Sequence, residues 1–304
     1  MSADQTNHNG TMAGRGGSRS GGLRASDADR EAMAKALRQP RTEVLDCGAW
    51  LSSLPRRVAA QRPVERACYL IGAVLIGSGL LHLGVAAIDV RPWLGPLSWR
   101  KAVTFGVSFG TILIAITWIS SYLRLSLRSR AWLLGVFAAD CVIEVSGITV
   151  QAWRHVPSHF NTETPFDMVI AYSLAGGGGV LIIVLGSLAI TAFRGKIDSP
   201  PSMRLALRAG FALLLAGLAA GVAMIVRGET LIKAGHRAAA YDTAGFLKLF
   251  HGVSLNAILV LPILAWLLSL TRRSEVQRTR IVAAATTGYV LLAAVSLVVS
   301  LINS

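Results

Sequence analysis

AGFALLLAGLAAGVAMIV, residues 209–226, runs between Arg208 and Arg227 without one ionisable side chain. As an α-helix rising about 1.5 Å per residue it covers about 27 Å, close to the hydrocarbon thickness of a bilayer. In lipid every backbone N–H and C=O must be paired within the segment, so a run of this kind is expected to be a transmembrane helix. The same reading applies outward along the chain. Seven spans are expected: Cys68 to Asp89, Lys101 to Tyr122, Ala131 to Ala152, Pro165 to Phe193, Met203 to Val226, Gly245 to Leu270 and Ile281 to Leu301. The fold class is therefore all-α, a polytopic transmembrane helix bundle of about seven spans. Residues 67–304 form the membrane domain, and residues 1–66 a basic cytoplasmic tail.

Composition agrees. Of 304 residues, 53% are hydrophobic and only 15% charged, well under the roughly 25% usual in soluble domains. The net charge of +14 would suggest nucleic acid in a soluble protein. Here the basic residues collect between apolar runs, as they do on the cytoplasmic side of membrane proteins, and no nucleic-acid motif accompanies them. Nucleic acid is thus excluded as the main partner and the lipid bilayer takes its place. The clusters Arg56 to Arg66, Arg124/Arg128/Arg130, Arg194/Lys196/Arg204/Arg208 and Arg272/Arg273/Arg278/Arg280 fall on one side if the N-terminus is inside. The expected topology is N-in, C-out, in a plasma (inner) membrane of bacterial type.

The tail begins with a Gly/Ser/Arg-rich stretch, residues 1–23, expected to be disordered. It has no apolar core of a signal peptide, so the first span is expected to serve as its own insertion signal. Ser26 and Asp29 form a capping-box pattern ahead of a short helix that stops at Pro40. Arg56, Arg57, Arg62 and Arg66 suit anionic headgroups or a cytoplasmic partner. The three cysteines, Cys47, Cys68 and Cys141, have neither disulfide-framework nor zinc-type spacing. Gly106-x-x-x-Gly110 and Gly217-x-x-x-Gly221 predict close helix–helix approach.

Ionisable groups inside a bilayer are costly and mark candidate sites. His82 lies in the first span, Asp140 and Glu144 one turn apart in the third, and His251 and Asn256 in the sixth. Counting residues from the span ends puts His82, Glu144 and His251 at one depth, roughly 9–13 Å below the outer surface. The run Gly176 to Gly179 falls at a similar level. His82, His251 and Glu144 are accordingly the candidate cofactor-binding set. Two histidines on different helices suit the axial positions of a b-type haem; a His/His/Glu set suits a divalent metal. Asp140, Glu144 and His82 also suit a proton or cation path in a transporter. A sensor or scaffold, with these groups only locking the bundle, is a third reading. Ser78-x-x-x-His82 is similar to an element of seven-span zinc-dependent lipid hydrolases, but the late H-x-x-x-H of that group is incomplete here, with Leu255 after His251.

The loop WRHVPSHFNTETPFD, Trp153 to Asp167, should lie outside. Thr164 reads as an N-cap, Pro165 as N1 and Asp167 as the capping acid. Arg154, His155, His159 and Asn161 then precede a helix N-terminus, which attracts anions, and form the candidate substrate-binding set. Ser158 to Asn161 (SHFN), Thr164 to Asp167 (TPFD) and HGVSLNAILVLPIL from His251 together resemble a group of bacterial multi-pass, about seven-span membrane proteins of uncharacterised activity. That group has Arg-Gly where this chain has Arg154-His155. The resemblance implies the architecture and singles out those residues; it implies no activity.

Overall fold

The computed structural model describes residues 62–303 apart from Val90, Pro92, Pro96 and Lys196. The predicted tail helix, the Gly/Ser-rich stretch and Arg56/Arg57 lie outside the described residues. Eight helices follow in order: α1 Pro63–Ile88, α2 Arg100–Ser120, α3 Leu127–Trp153, α4 Pro165–Arg194, α5 Pro201–Lys233, α6 Arg237–Thr243, α7 Lys248–Ser269 and α8 Glu275–Ile302. All except the short α6 are long and apolar enough to cross a membrane, and no strand occurs among the described residues. Each expected span is a helix. The largest difference is in α5, which continues past Val226 to Lys233. Backbone pairing is satisfied inside a helix whatever its side chains, so a polar last turn at the water interface costs little. α6 has no apolar run and was not expected from hydropathy.

Small residues set the two tightest pairings. In α1 and α2 the glycines face each other. A Cβ on Gly106 would lie 2.7 Å from Gly79 Cα, and one on Gly110 2.5 Å from the Gly72 carbonyl oxygen. In α5 and α7, Gly217 meets the Leu255 backbone nitrogen, 3.1 Å from a built Cβ, and Gly221 meets the His251 ring. Both predicted Gly-x-x-x-Gly motifs are thus helix contacts, where van der Waals packing must do what hydrophobic burial cannot do in lipid. α3 packs on α1 and α2, and α8 on α5 and α7; α4 lies between, against α3 and α5. Phe137, Leu134, Leu188, Phe211, Leu214 and Ile258 fill the interior. Leu70, Val74, Leu81, Ile183, Leu291 and Val295 point outward, as lipid contact requires.

One end of the bundle is locked by Arg130. It is buried, and its guanidinium donates to Ser120 O at 2.7 Å, Ser120 Oγ at 2.9 Å and Leu123 O at 3.0 Å. It also pairs with Glu65 of α1 at 3.5 Å. The other end carries the loop between α3 and α4 and the starts of α2 and α7.

Candidate functional site

Three polar neighbourhoods occupy the loop end and the bundle interior. The first surrounds His82. Its Nδ1 lies 2.7 Å from Ser78 O and its Nε2 3.0 Å from the Trp153 indole nitrogen. Indole N–H only donates, so Nε2 is the acceptor and Nδ1 carries the proton to Ser78 O. Trp99 packs on the same corner, 5.0 Å from the Trp153 ring centroid, and donates to Asp89 Oδ2 at 2.8 Å. Arg91 lies 4.1 Å over the Trp99 ring and donates to Asp89 at 2.9 Å and to Ala152 O at 3.1 Å. The Trp99 indole N–H, with help from Arg91, holds the Asp89 carboxyl below its ordinary value. This corner ties α1, α2 and α3 together, and both ring nitrogens of His82 are spent on it. A ligand role for His82 requires breaking one of these bonds.

The second neighbourhood is the carboxylate pair. Asp140 and Glu144 are each 4% exposed. One α-helical turn separates them, and both turn toward α4. A Cβ built on Gly177 would sit 2.5 Å from Glu144 Oε1 and 2.7 Å from Asp140 Oδ1. The space of one missing side chain is therefore filled by two carboxylates. Asp140 Oδ2 is buried without a hydrogen-bond partner, and no lysine, arginine or histidine pairs with either acid among the described residues. Gly176 and Gly179 have nothing within 4 Å of a built Cβ, so of the four glycines it is Gly177 whose lack of a side chain the carboxylates use most closely.

His251 belongs to neither group. Its Nδ1 lies 2.7 Å from Gly217 O, an interhelical bond from α7 to α5. The structure thus gives the expected cofactor-binding set, His82, Glu144 and His251, three different sets of partners. No group of three or more His, Cys, Asp or Glu is arranged for a metal among the described residues. Residue count sets height along each helix; rotation about the helix axis, set by packing, sends the three side chains to different neighbours.

The third neighbourhood is the loop. The Thr164 cap forms as predicted, with Asp167 N donating to Thr164 Oγ1 at 3.1 Å. The acid is used differently: Thr164 Oγ1 donates to Asp167 Oδ2 at 2.6 Å, and Gln151 Nε2 donates to Asp167 Oδ1 at 2.8 Å. Arg154 forms an ion pair with Asp167, so its charge is already matched. His155 is exposed, with φ of 58°. Phe160 has φ of 60°, a left-handed conformation rare for an aromatic residue. Its ring occupies the space beside Gly228 of α5. The loop thereby folds down into the bundle mouth. Ser158 and Asn161 are buried, and Ser158 Oγ lies 2.9 Å from His159 Nδ1. His159 packs 6.2 Å from the Phe105 ring. Burial, then the Lys101 and Lys248 ammonium groups, push its imidazole well below the ordinary value.

Of the expected substrate-binding set, then, His159 and Asn161 enter the mouth of the bundle, Arg154 is neutralised by Asp167, and His155 stays at the surface. Lys101 and Lys248, which sequence reasoning passed over, are within electrostatic reach of His159. Their signal was available: each is a cation in the first turn of a span that has no acid in that turn. A cleft of about 380 Å³ between α1 and α3 is lined by Leu70, Val74, Ser78, Val142, Ser146 and Thr149 among others. It holds no ionisable group.

No protein-family model, no curated protein and no solved structure matches the chain. The resemblance carried by SHFN and TPFD gains no support beyond those residues. What the fold does support is an all-helical, multi-pass membrane protein with seven candidate spans.

Proposed function

We propose that the chain is a transporter in which Asp140 and Glu144 bind and release a proton during passage of a small solute, with the loop end facing outward across a plasma membrane. The observation that carries this reading is the buried carboxylate pair over Gly177, with Asp140 Oδ2 unpartnered. An intramembrane acid kept for helix locking needs a cation or donor to repay its desolvation. This pair has neither among the described residues, so nothing in its surroundings repays two negative charges. A glycine opposite it leaves the acids without a covering side chain. The orientation rests on the basic residues Arg124, Arg128, Arg130, Arg272, Arg273 and Arg278, which cluster at the end away from the loop.

Carbodiimide labelling of the full chain in proteoliposomes tests this, because the reagent adds to protonated carboxyl groups in apolar surroundings. Label is expected on Glu144 or Asp140, at a rate that follows the pH of the loop-side compartment, and is expected to vanish in the Asp140→Asn/Glu144→Gln double variant. Wild-type protein that stays unlabelled at acidic and neutral pH sinks the proposal. So does labelling that ignores pH on both sides.

A further inference from the structure

The starts of α2 and α7 break a rule of helix electrostatics. Helix N-termini carry partial positive charge and favour acids. Here α2 opens with Arg100 and Lys101, α7 opens with Lys248, and neither has an acid in its first turn or a side-chain cap. The two helices touch, and the charges at their starts are within electrostatic reach of one another. Arg100 and Lys248 act electrostatically on Lys101, and Lys101 and Lys248 both act on His159. The charges acting on these groups are all positive. His159 rests on Phe105, one turn below Lys101 on the same face of α2. The Lys248 ammonium lies over Gly245, where a Cβ would come within 2.7 Å of Nζ.

Donors on these segments are left over. Neither lysine ammonium has a hydrogen-bond or ion-pair partner among the described residues. Arg100 Nε and Ser98 Oγ at the start of α2 are buried without partners, and so is the Asn161 amide Nδ2, two residues beyond His159. Asn161 is 1% exposed and Ser98 3%. Buried donors normally find acceptors, and three cations at two helix N-termini favour an anion among them.

We propose that Arg100, Lys101, Lys248, His159 and Asn161 form a binding site for an oxyanion of the phosphate or carboxylate class, held at the bundle mouth beneath the SHFN loop. His159 serves as a neutral donor or acceptor and the lysines supply the charge. The ligand is a free anion or the headgroup of an anionic lipid; the oxyanion chemistry is common to both. The site is separate from the carboxylate pair and stands or falls independently of proton coupling.

The test is thermal unfolding of the full chain. One arm titrates inorganic phosphate against chloride at equal ionic strength in uncharged detergent. The other compares nanodiscs of phosphatidylcholine alone with nanodiscs containing phosphatidylglycerol. A ligand that binds only the folded state raises Tm with concentration. The expected result is a saturable rise in at least one arm. It should be lost in Lys101→Gln/Lys248→Gln, restored in part by Lys101→Arg/Lys248→Arg, and kept in Glu144→Gln. A rise with phosphate assigns a free anion; a rise confined to phosphatidylglycerol assigns a headgroup. No rise in either arm overturns the site, as does a rise that the double glutamine variant retains in full. Retention in Glu144→Gln keeps this result distinct from the fate of the transport reading.

Discussion

Gly177→Ala is the substitution that most sharply probes the packing of the carboxylate pair. The added methyl would lie 2.5 Å from Glu144 Oε1 and 2.7 Å from Asp140 Oδ1. Ordinary carbon–heavy-atom contacts fall at about 3.5 Å, so one or both carboxylates must retreat by nearly an ångström within a close-packed interior. Overpacking of this kind costs about 1–3 kcal/mol. For a domain of this size each kcal/mol moves Tm by about 2–4 °C, which places the expected fall on the order of 5 °C. Gly176→Ala and Gly179→Ala are internal controls, since each methyl meets open space. Alanine is favoured over glycine within a helix by up to about 1 kcal/mol, so those variants should melt at the wild-type temperature or slightly above it. The assay is thermal unfolding of all three variants in the same detergent, followed by carbodiimide labelling. Gly177→Ala should label at an altered rate and the controls at the wild-type rate. If the three variants are equally stable and label alike, the carboxylates do not pack against Gly177, and the reasoning that makes this pair the core of the site fails.

Three further outcomes follow from other parts of the bundle. Arg130→Met removes the donors to Ser120 and Leu123 and leaves Glu65 with Arg62 alone, at 3.1 Å; buried acceptors left unpaired cost about 1–3 kcal/mol each. The loss should appear in thermal unfolding as a lower Tm; an Arg130→Met variant as stable as wild type contradicts the latch. Gly228→Ala overlaps the Phe160 ring, so the loop should lift; a Cys placed at Ser158, buried in the wild type, should then react with a soluble maleimide several-fold faster, and an unchanged rate refutes the seating of Phe160. Asp89 is held below its ordinary value of 3.8, so its bonds to Trp99 and Arg91 contribute fully above that pH and are lost as pH falls below it. The Tm difference between wild type and Asp89→Asn should be constant from neutral pH to about pH 5 and close only under stronger acid; a gap that closes near neutrality is the contrary result.

The candidate site was legible in part. Asp140, Glu144 and the four glycines were marked by their cost inside a bilayer and by a missing side-chain volume, and the structure brings Gly177 onto the two acids. His82 and His251 were marked by the same cost, yet one is bound by Trp153 and Ser78 and the other by Gly217. Arg154 read as a free cation because its partner, Asp167, lies across a loop whose return path no sequence pattern specifies. Lys101 and Lys248 were passed over because each looked like an ordinary basic residue flanking a span. Only their meeting, from helices far apart in the chain, makes them unusual.

Hydropathy and segment length were enough to show seven runs able to cross a bilayer, where they lie, and that they are helices. Lipid offers no hydrogen bonds, so an apolar run of sufficient length has a single way to satisfy its backbone, and that requirement is local. Tertiary structure alone decided which faces meet. Against lipid, the buried and the exposed sides of a helix are both apolar, so hydropathy carries little information about rotation about the helix axis. Contacts such as Gly79 on Gly106, Gly177 under Glu144 and Phe160 beside Gly228 depend on shape at close range, and shape is fixed only when the helices pack.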